Sequence, residues 1–189
     1  MRSSIFIFSL LFSIFLCVGC KSSKEKIEDT INQMKSTPVS IPFSYMSCWI
    51  NDTIQIDRPW ENAILKLVVY TDSSSCSKCT LKQMYLWNDF VELEKKYKND
   101  FYIFFVFQTN PGINSKKLAL DFHLTELNHP IYVDSLSMFS SDNPHIPFQD
   151  PMFQIFLLDE KNEVILVGHP LFNTKVEDAL LEMLKEKLK

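Results

Sequence analysis

The chain has 189 residues, of which 46% are hydrophobic and 22% are charged, and its formal net charge is -4. This length and composition suit one globular domain with a short additional segment. The weak acidity, without any basic block, argues against a nucleic-acid-binding protein.

Residues 1–19 have the pattern of an export signal. Arg2 supplies a positive charge, and residues 5–16 form an apolar run that is short for a membrane span. Cys20 follows a glycine, as in bacterial lipoprotein signals, although Cys17 replaces the usual aliphatic residue. We therefore expect a lipid anchor on Cys20 and a periplasm-facing location in the bacterial cell envelope. An ordinary signal peptide or an uncleaved anchor would also export the chain.

Residues 20–40 are predicted to be a polar, lysine-rich tether with one helical stretch, because Ile27, Ile31 and Met34 recur at helical spacing. Residues 41–189 are predicted to form the folded domain. Its first part, residues 43–56, is rich in β-forming residues and is broken by Asn-Asp, which indicates an N-terminal hairpin or two short strands.

The rest of the domain alternates apolar runs with helical patterns, which predicts an α/β fold with a βαβ unit followed by a ββα unit. We expect further strands at 63–70, 101–108, 130–134, 152–158 and 163–167, helices at 80–97, 114–122 and 174–188, and a loop at 135–151. Thr174 and Glu177 are predicted to form a capping box at the last helix.

A Cys-x-x-Cys pair, Cys76 and Cys79, lies between a buried strand and an amphipathic helix. A thiol at a helix N-terminus faces unpaired N–H groups, which favour its thiolate, and Lys78 adds a positive charge. Helical phase places Cys79 on the apolar face with Leu86, Phe90, Leu93 and Tyr97. We therefore expect Cys76 to be the accessible nucleophile and Cys79 to be the resolving thiol.

Export would remove Cys17 with the signal and lipidate Cys20, which leaves three unmodified cysteines, namely Cys48, Cys76 and Cys79. Their spacing favours a Cys76–Cys79 disulfide in an oxidising compartment. Cys48 is then predicted to be a buried thiol that packs as a small hydrophobe, although a third redox role stays open.

Residues 64–97 resemble the core of the thioredoxin-like superfamily, and the similarity extends over residues 41–189. Within that superfamily, the chain most resembles the membrane-tethered, periplasm-facing thiol–disulfide oxidoreductases of the AhpC/TSA type. The resemblance implies disulfide-bearing protein substrates, a membrane electron donor and no cofactor. This chain departs from the family pattern at Ser75, where a Trp is frequent, and at Ser77-Lys78, where Gly-Pro is frequent. Tyr70 stands where many members carry a buried acid.

The resemblance also implies a cis-proline that faces the dithiol and binds an extended peptide. Pro151 is the candidate, with Pro147 as a weaker one, although the usual spacing falls at Phe153. Ser75 and Lys78 are expected to contact substrate together with Pro151.

Three other classes of function are open on the sequence. A copper or zinc protein could use Cys76 and Cys79 with His145 or His169, but the four histidines share no ligand spacing and each is predicted to lie at the surface or in a turn. A peroxidase could use Thr71, but the second cysteine favours exchange chemistry. A redox-inactive thioredoxin-like binding module would keep its partner without Cys76.

Overall fold

The computed structural model describes residues 22–50, 53–55, 61–72, 81–98, 100–110, 112 and 115–188. The expected lipidation site, Cys20, lies outside these residues. Ser75, Cys76, Lys78 and Cys79 also lie outside them. The roles that the sequence assigns to these four residues therefore stay predictions.

The chain divides into two units, of which the first ends at Asn32 and the second begins at Gln33. Helix α1, Ser23–Met34, is the one helical stretch that the pattern of residues 20–40 predicts. Ser22 and Glu25 cap it reciprocally, because the Ser22 amide donates to Glu25 Oε2 at 2.7 Å and the Glu25 amide donates to Ser22 Oγ at 3.2 Å.

In the second unit, the described strands form one seven-stranded mixed sheet in the order β2-β1-β5-β4-β3-β6-β7. The strands are β1 Ser47–Ile50, β2 Thr53–Gln55, β3 Leu65–Thr71, β4 Phe101–Gln108, β5 Ile131–Asp134, β6 Ile155–Leu158 and β7 Val164–Val167. Strand β4 runs parallel to β3 and β5, and the other pairings are antiparallel. This is the predicted thioredoxin-like fold, with the predicted β1–β2 hairpin added at one edge.

In the part of the second unit that the structure describes, four α-helices accompany the sheet: α2 Asn88–Tyr97, α3 Ser115–His123, α4 Met138–Asp142 and α5 Thr174–Lys187. Short 3-10 helices occur at Phe43–Tyr45, Met84–Trp87 and Pro151–Phe153. The predicted helix at 80–97 therefore changes type at Asn88. The 3-10 turn suits this segment because it places Met84 and Trp87, three residues apart, on one buried side.

Both faces of the sheet are covered, so β3 and β4 lack the alternation of a half-exposed strand, as predicted. Helices α2, α3 and α5 pack their apolar residues on one face. Phe139 and Phe148 cover the other face, where they contact Phe104 and Phe156 at ring-centroid distances of 6.1 and 6.4 Å. Lys66 is a charged exception within β3; burial lowers its pKa, and its Nζ lies 3.5 Å from the Asp159 carbonyl oxygen.

The N-terminal part of the second unit is held to the loop after α4 by a paired hydrogen bond. The Ser40 amide donates to Asn143 Oδ1, and Asn143 Nδ2 donates to the Ser40 carbonyl oxygen, each at 2.8 Å. Asn143 is completely buried, and its Nδ2 also donates to the Phe139 carbonyl oxygen at 2.7 Å. These bonds clasp the segment that leads to β1 onto the domain.

Two local predictions are wrong. Residues 135–151 are not all loop, because α4 forms within them and Asp134 caps it: its carboxylate accepts from the amides of Met138 at 3.0 Å and Phe139 at 2.8 Å. The predicted capping box at Thr174 is also absent, since Asn173 is the N-cap and its Oδ1 accepts from the Lys175 amide at 3.1 Å.

We expect Asp134→Ala to lower the free energy of unfolding by about 2 kcal/mol, because two amides at the start of α4 would lose their acceptor in a buried place. Urea unfolding followed by tryptophan fluorescence would measure this. Asp142→Ala, at the exposed end of the same helix, is the matched control and should change stability by less than about 0.5 kcal/mol. Equal effects of the two substitutions would contradict the assignment of Asp134 as the cap.

Candidate dithiol site

Residues 73–80, which contain Cys76 and Cys79 and are called the dithiol segment below, connect the end of the central strand β3 to the helical residues before α2. Thr71, the last residue of β3, is buried, and the next described residue after Asp72 is Leu81, which is helical. Strand β3 is hydrogen-bonded on both sides, to β4 and to β6. Residues 73–80 therefore begin at the carboxyl end of a central strand, where α/β folds commonly place their sites.

The apolar helical face predicted to carry Cys79 is confirmed only in part, because Leu86 is partly exposed, lies in the 3-10 stretch and is not among the core residues. Phe90 is buried, and Leu93 and Tyr97 are partly buried against the core. Trp87 and Val91 belong to the same buried face, although the predicted set did not include them.

A cavity of about 230 Å³ opens beside the two ends of the dithiol segment. Among the described residues, four parts of the chain line it: the end of β3 at 69–71, the 3-10 region at 83–87, the residues before and at the start of β6, and the β7–α5 connection at 169–172. The site that the dithiol would adjoin is thus a depression with walls from widely separated segments.

An aromatic stack forms one wall of this cavity. The His169 ring lies on the Trp87 ring at 5.4 Å with an interplanar angle of 26°, and the Phe172 ring lies 4.4 Å from it. Burial lowers the pKa of His169, which favours its neutral form. Its Nδ1 is buried and has no hydrogen-bond partner among the described residues. This histidine was predicted only as a turn residue or a metal ligand, and its contact with Trp87 is not visible in the local sequence.

Tyr70 stands where the resemblance places a buried acid, and it forms an uncharged network. Its hydroxyl donates to Gln108 Oε1, and Gln108 Nε2 donates to Ser137 Oγ at 2.5 Å. Burial raises the pKa of Tyr70 to about 12. The position is therefore neutral at physiological pH, unlike a carboxylate.

The cis-proline expectation is wrong for both candidates, because no cis peptide bond occurs among the described residues. Pro151 instead begins a 3-10 helix, which Asp150 caps by accepting from the Met152 amide at 3.0 Å. Because residues 151–153 form this helix, β6 begins at Ile155, whereas the prediction had it begin at residue 152. Pro151 does line the cavity. Gln154 directly precedes β6, and its carbonyl oxygen accepts a hydrogen bond from the Tyr70 amide at 2.9 Å.

Cys48 lies away from this cavity, on β1 opposite Tyr132 of β5. It is 8% exposed, as expected of a buried thiol. Its side chain is hydrogen-bonded to Tyr132, whose hydroxyl lies 3.0 Å from that of Tyr102. Burial raises the pKa of both tyrosines, so Cys48 faces neutral hydroxyl groups.

The histidines do not gather into a metal site within the described part of the chain. That part contains no group of three or more His, Cys, Asp or Glu side chains able to hold an ion. His129 was predicted at the surface or in a turn and is instead 4% exposed, with Nε2 2.9 Å from Glu94 Oε2. Over the same described residues, no helix is both long enough and apolar enough to cross a bilayer.

No family model matches the chain, and no curated protein matches it. Solved structures do match. A proposed protein disulfide isomerase from Bacteroides thetaiotaomicron has 16% identity over 81% of this chain and 94% of that chain, with a TM-score of 0.46. The Xanthomonas campestris bacterioferritin comigratory protein has 14% identity over 80% of this chain and 98% of its own, with a TM-score of 0.49. Yeast Sco1 has 17% identity over 65% of this chain and 84% of its own, with a TM-score of 0.40. Because these identities and TM-scores are low, the fold is defined by the strand order and register of the chain's own sheet.

His169 should make stability depend on pH. Its pKa is lowered in the folded state, so as the pH falls below the ordinary value of 6.5 the unfolded chain binds a proton that the folded chain resists, and the free energy of unfolding falls. We expect His169→Phe to lose less stability than the native chain over that acidic range, as measured by urea unfolding.

His123→Phe is the control for this experiment, because His123 is an exposed residue at the end of α3. It should keep the native pH dependence. The assignment would be wrong if His169→Phe and His123→Phe had the same pH dependence as the native chain.

Proposed function

We propose that this chain is a thiol–disulfide oxidoreductase that acts through Cys76 and Cys79. The observation that carries the proposal is the position of the Cys-x-x-Cys segment, which starts at the carboxyl end of the buried central strand β3. A cavity opens beside both ends of this segment, so a partner could reach the region. Such an arrangement suits exchange between a protein dithiol and the disulfide of another protein.

In the proposed reaction, the Cys76 thiolate attacks one sulfur of a substrate disulfide, and the other substrate sulfur leaves as a thiolate. A mixed disulfide then joins Cys76 to the substrate. Cys79, after losing its proton to solvent, attacks Cys76 and releases the second substrate thiolate. The substrate disulfide gains two electrons, and the Cys76–Cys79 pair loses two as it becomes a disulfide.

Repeated turnover in this direction needs a donor of two electrons that reduces the Cys76–Cys79 disulfide. We propose a membrane electron donor, because the predicted lipid anchor at Cys20 would keep the domain at the membrane surface. The substrates would be exported proteins with disulfides, and the chain would face the periplasm. The preference for reduction over oxidation follows the resemblance to tethered reductases.

The reduction potential of the Cys76–Cys79 pair tests the function and its direction. Thiol trapping across glutathione and dithiothreitol buffers should give a two-electron couple below about -260 mV, at the reducing end of the glutathione range. A potential well above that range would indicate an oxidant or isomerase. A stoichiometric metal ion bound by the reduced protein, measured in the same samples, would instead support metal handling.

Single cysteine variants separate the roles of the two thiols. Cys79→Ser should accumulate a mixed disulfide with a substrate protein that carries a disulfide, because the resolving thiol is absent, whereas Cys76→Ser should form none. Cys48→Ala is the matched control and should retain turnover, since Cys48 is buried on β1. Turnover by Cys76→Ser would overturn the assignment of the nucleophile.

A further inference from the structure

The last part of the predicted tether is bound to the domain. Residues 34–40, called the strap below, connect α1 to the segment that leads to β1. The Val39 amide donates to the Asn162 carbonyl oxygen at 2.8 Å, and Ser40 makes two hydrogen bonds of 2.8 Å with Asn143. Met34 is completely buried, and so is nearly all of Val39. Apolar burial and hydrogen bonds therefore both hold the strap.

The strap also contacts a histidine that has one unsatisfied ring nitrogen. His145 is hydrogen-bonded to the backbone of Thr37, and this bond favours the protonated ring, so the ring is the donor and the Thr37 carbonyl oxygen accepts. The His145 Nε2 is buried and has no hydrogen-bond partner among the described residues. The donor is therefore Nδ1. A proton added at Nε2 would place a positive charge in a buried site without an acceptor, which is unfavourable.

The surroundings of His145 offer little compensation for such a charge. Burial lowers the pKa of His145, and the Thr37 bond opposes this effect without cancelling it. Neighbouring segments do carry charged residues, namely Lys35 on the strap, Asp142 and Asp150 on the loop of His145, and Asp159, Glu160 and Lys161 in the turn that binds Val39. None of these is among the causes of the lowered pKa. The Asp159 carboxylate instead accepts from the amides of Lys161 and Glu163, each at 2.9 Å.

We propose that the strap is a pH-sensitive latch, which is closed while His145 is neutral and opens when His145 takes up a proton in mildly acidic solution. In the open state Nε2 meets water, which solvates the charge, so the open state binds the proton more readily than the closed state does. The closed state is therefore fully favoured above the ordinary histidine pKa of 6.5 and loses stability as the pH falls below it.

Opening of the strap would lengthen the tether. At about 3.3 Å per extended residue, residues 34–40 would add up to about 23 Å between the domain and a predicted anchor at Cys20. The domain would then reach substrates farther from the membrane in mildly acidic surroundings. The latch itself is independent of the exchange function, so either proposal can fail without the other.

Hydrogen exchange at the Val39 and Ser40 amides tests the latch. The full chain is compared by NMR at pH 7.5 and pH 5.5, with each rate corrected for the intrinsic pH dependence of exchange. We expect protection of both amides to fall about fivefold in acid, since one proton permits at most about a tenfold change per pH unit. The reference is the Leu65 amide, which donates to the Asp100 carbonyl oxygen at 2.9 Å and should show no comparable loss.

Histidine variants assign the effect. His145→Asn keeps a side-chain N–H for the Thr37 carbonyl oxygen but cannot become charged, so protection at Val39 and Ser40 should no longer depend on pH. His145→Phe also lacks the titration and should give lower protection that is the same at both pH values, because the bond to Thr37 is lost. His123→Asn, at an exposed position on α3, is the matched control and should keep the native pH dependence.

Two results would overturn the latch. One is protection at Val39 and Ser40 in the native chain that is unchanged or higher at pH 5.5. The other is a fall in acid that persists in both His145→Asn and His145→Phe, because the proton responsible would then bind elsewhere.

Discussion

The burial of β3 on both faces is the constraint on which the rest of the structure depends. This strand pairs with β4 and β6, and every one of its residues is buried. An apolar strand of this kind needs helices or loops on each side, which α2, α3 and α5 supply on one face and the segment around Phe139 and Phe148 supplies on the other. Because the strand is fixed in this way, the chain that leaves it at Thr71 starts from a rigid base.

Among the described residues, those that line the cavity have uncharged side chains. Tyr70 stands where the resemblance implies a carboxylate, and burial favours the neutral form of His169. Any stabilisation of a thiolate at Cys76 would then come from the start of the helix and from Lys78, as the sequence predicts, rather than from a buried acid.

The elements with long apolar patterns could be predicted from the sequence. Strand β4 matches its predicted bounds, and β3 and α5 differ by one or two residues. Helix α4 was missed because it has only five residues and its cap, Asp134, belongs to the preceding strand. The 3-10 helix at Pro151 was missed because Asp150 caps it locally, whereas the prediction relied on a family feature at that position.

Only part of the candidate site could be predicted from the sequence, because a local motif is visible there and a contact between distant segments is not. The motif of Cys76 and Cys79 is visible in the sequence because its two residues are close together. The cavity is not, because it joins Trp87 to His169 and Phe172 through the packing of distant segments. A histidine before a proline at a strand end gives no local sign that its ring will lie on a tryptophan.

The clasp between Ser40 and Asn143 has a mechanical consequence. A pull on the chain from its N-terminal side would load the segment before β1. The Val39 amide donates to the Asn162 carbonyl oxygen at 2.8 Å, and Ser40 is held to the loop after α4 by its two bonds to Asn143. Asn143 passes the load to Phe139 through its third bond, and Phe139 packs on the covered face of the sheet. Tension would thus divide between the β6–β7 connection at Asn162 and, through Phe139, the face of the sheet opposite α2.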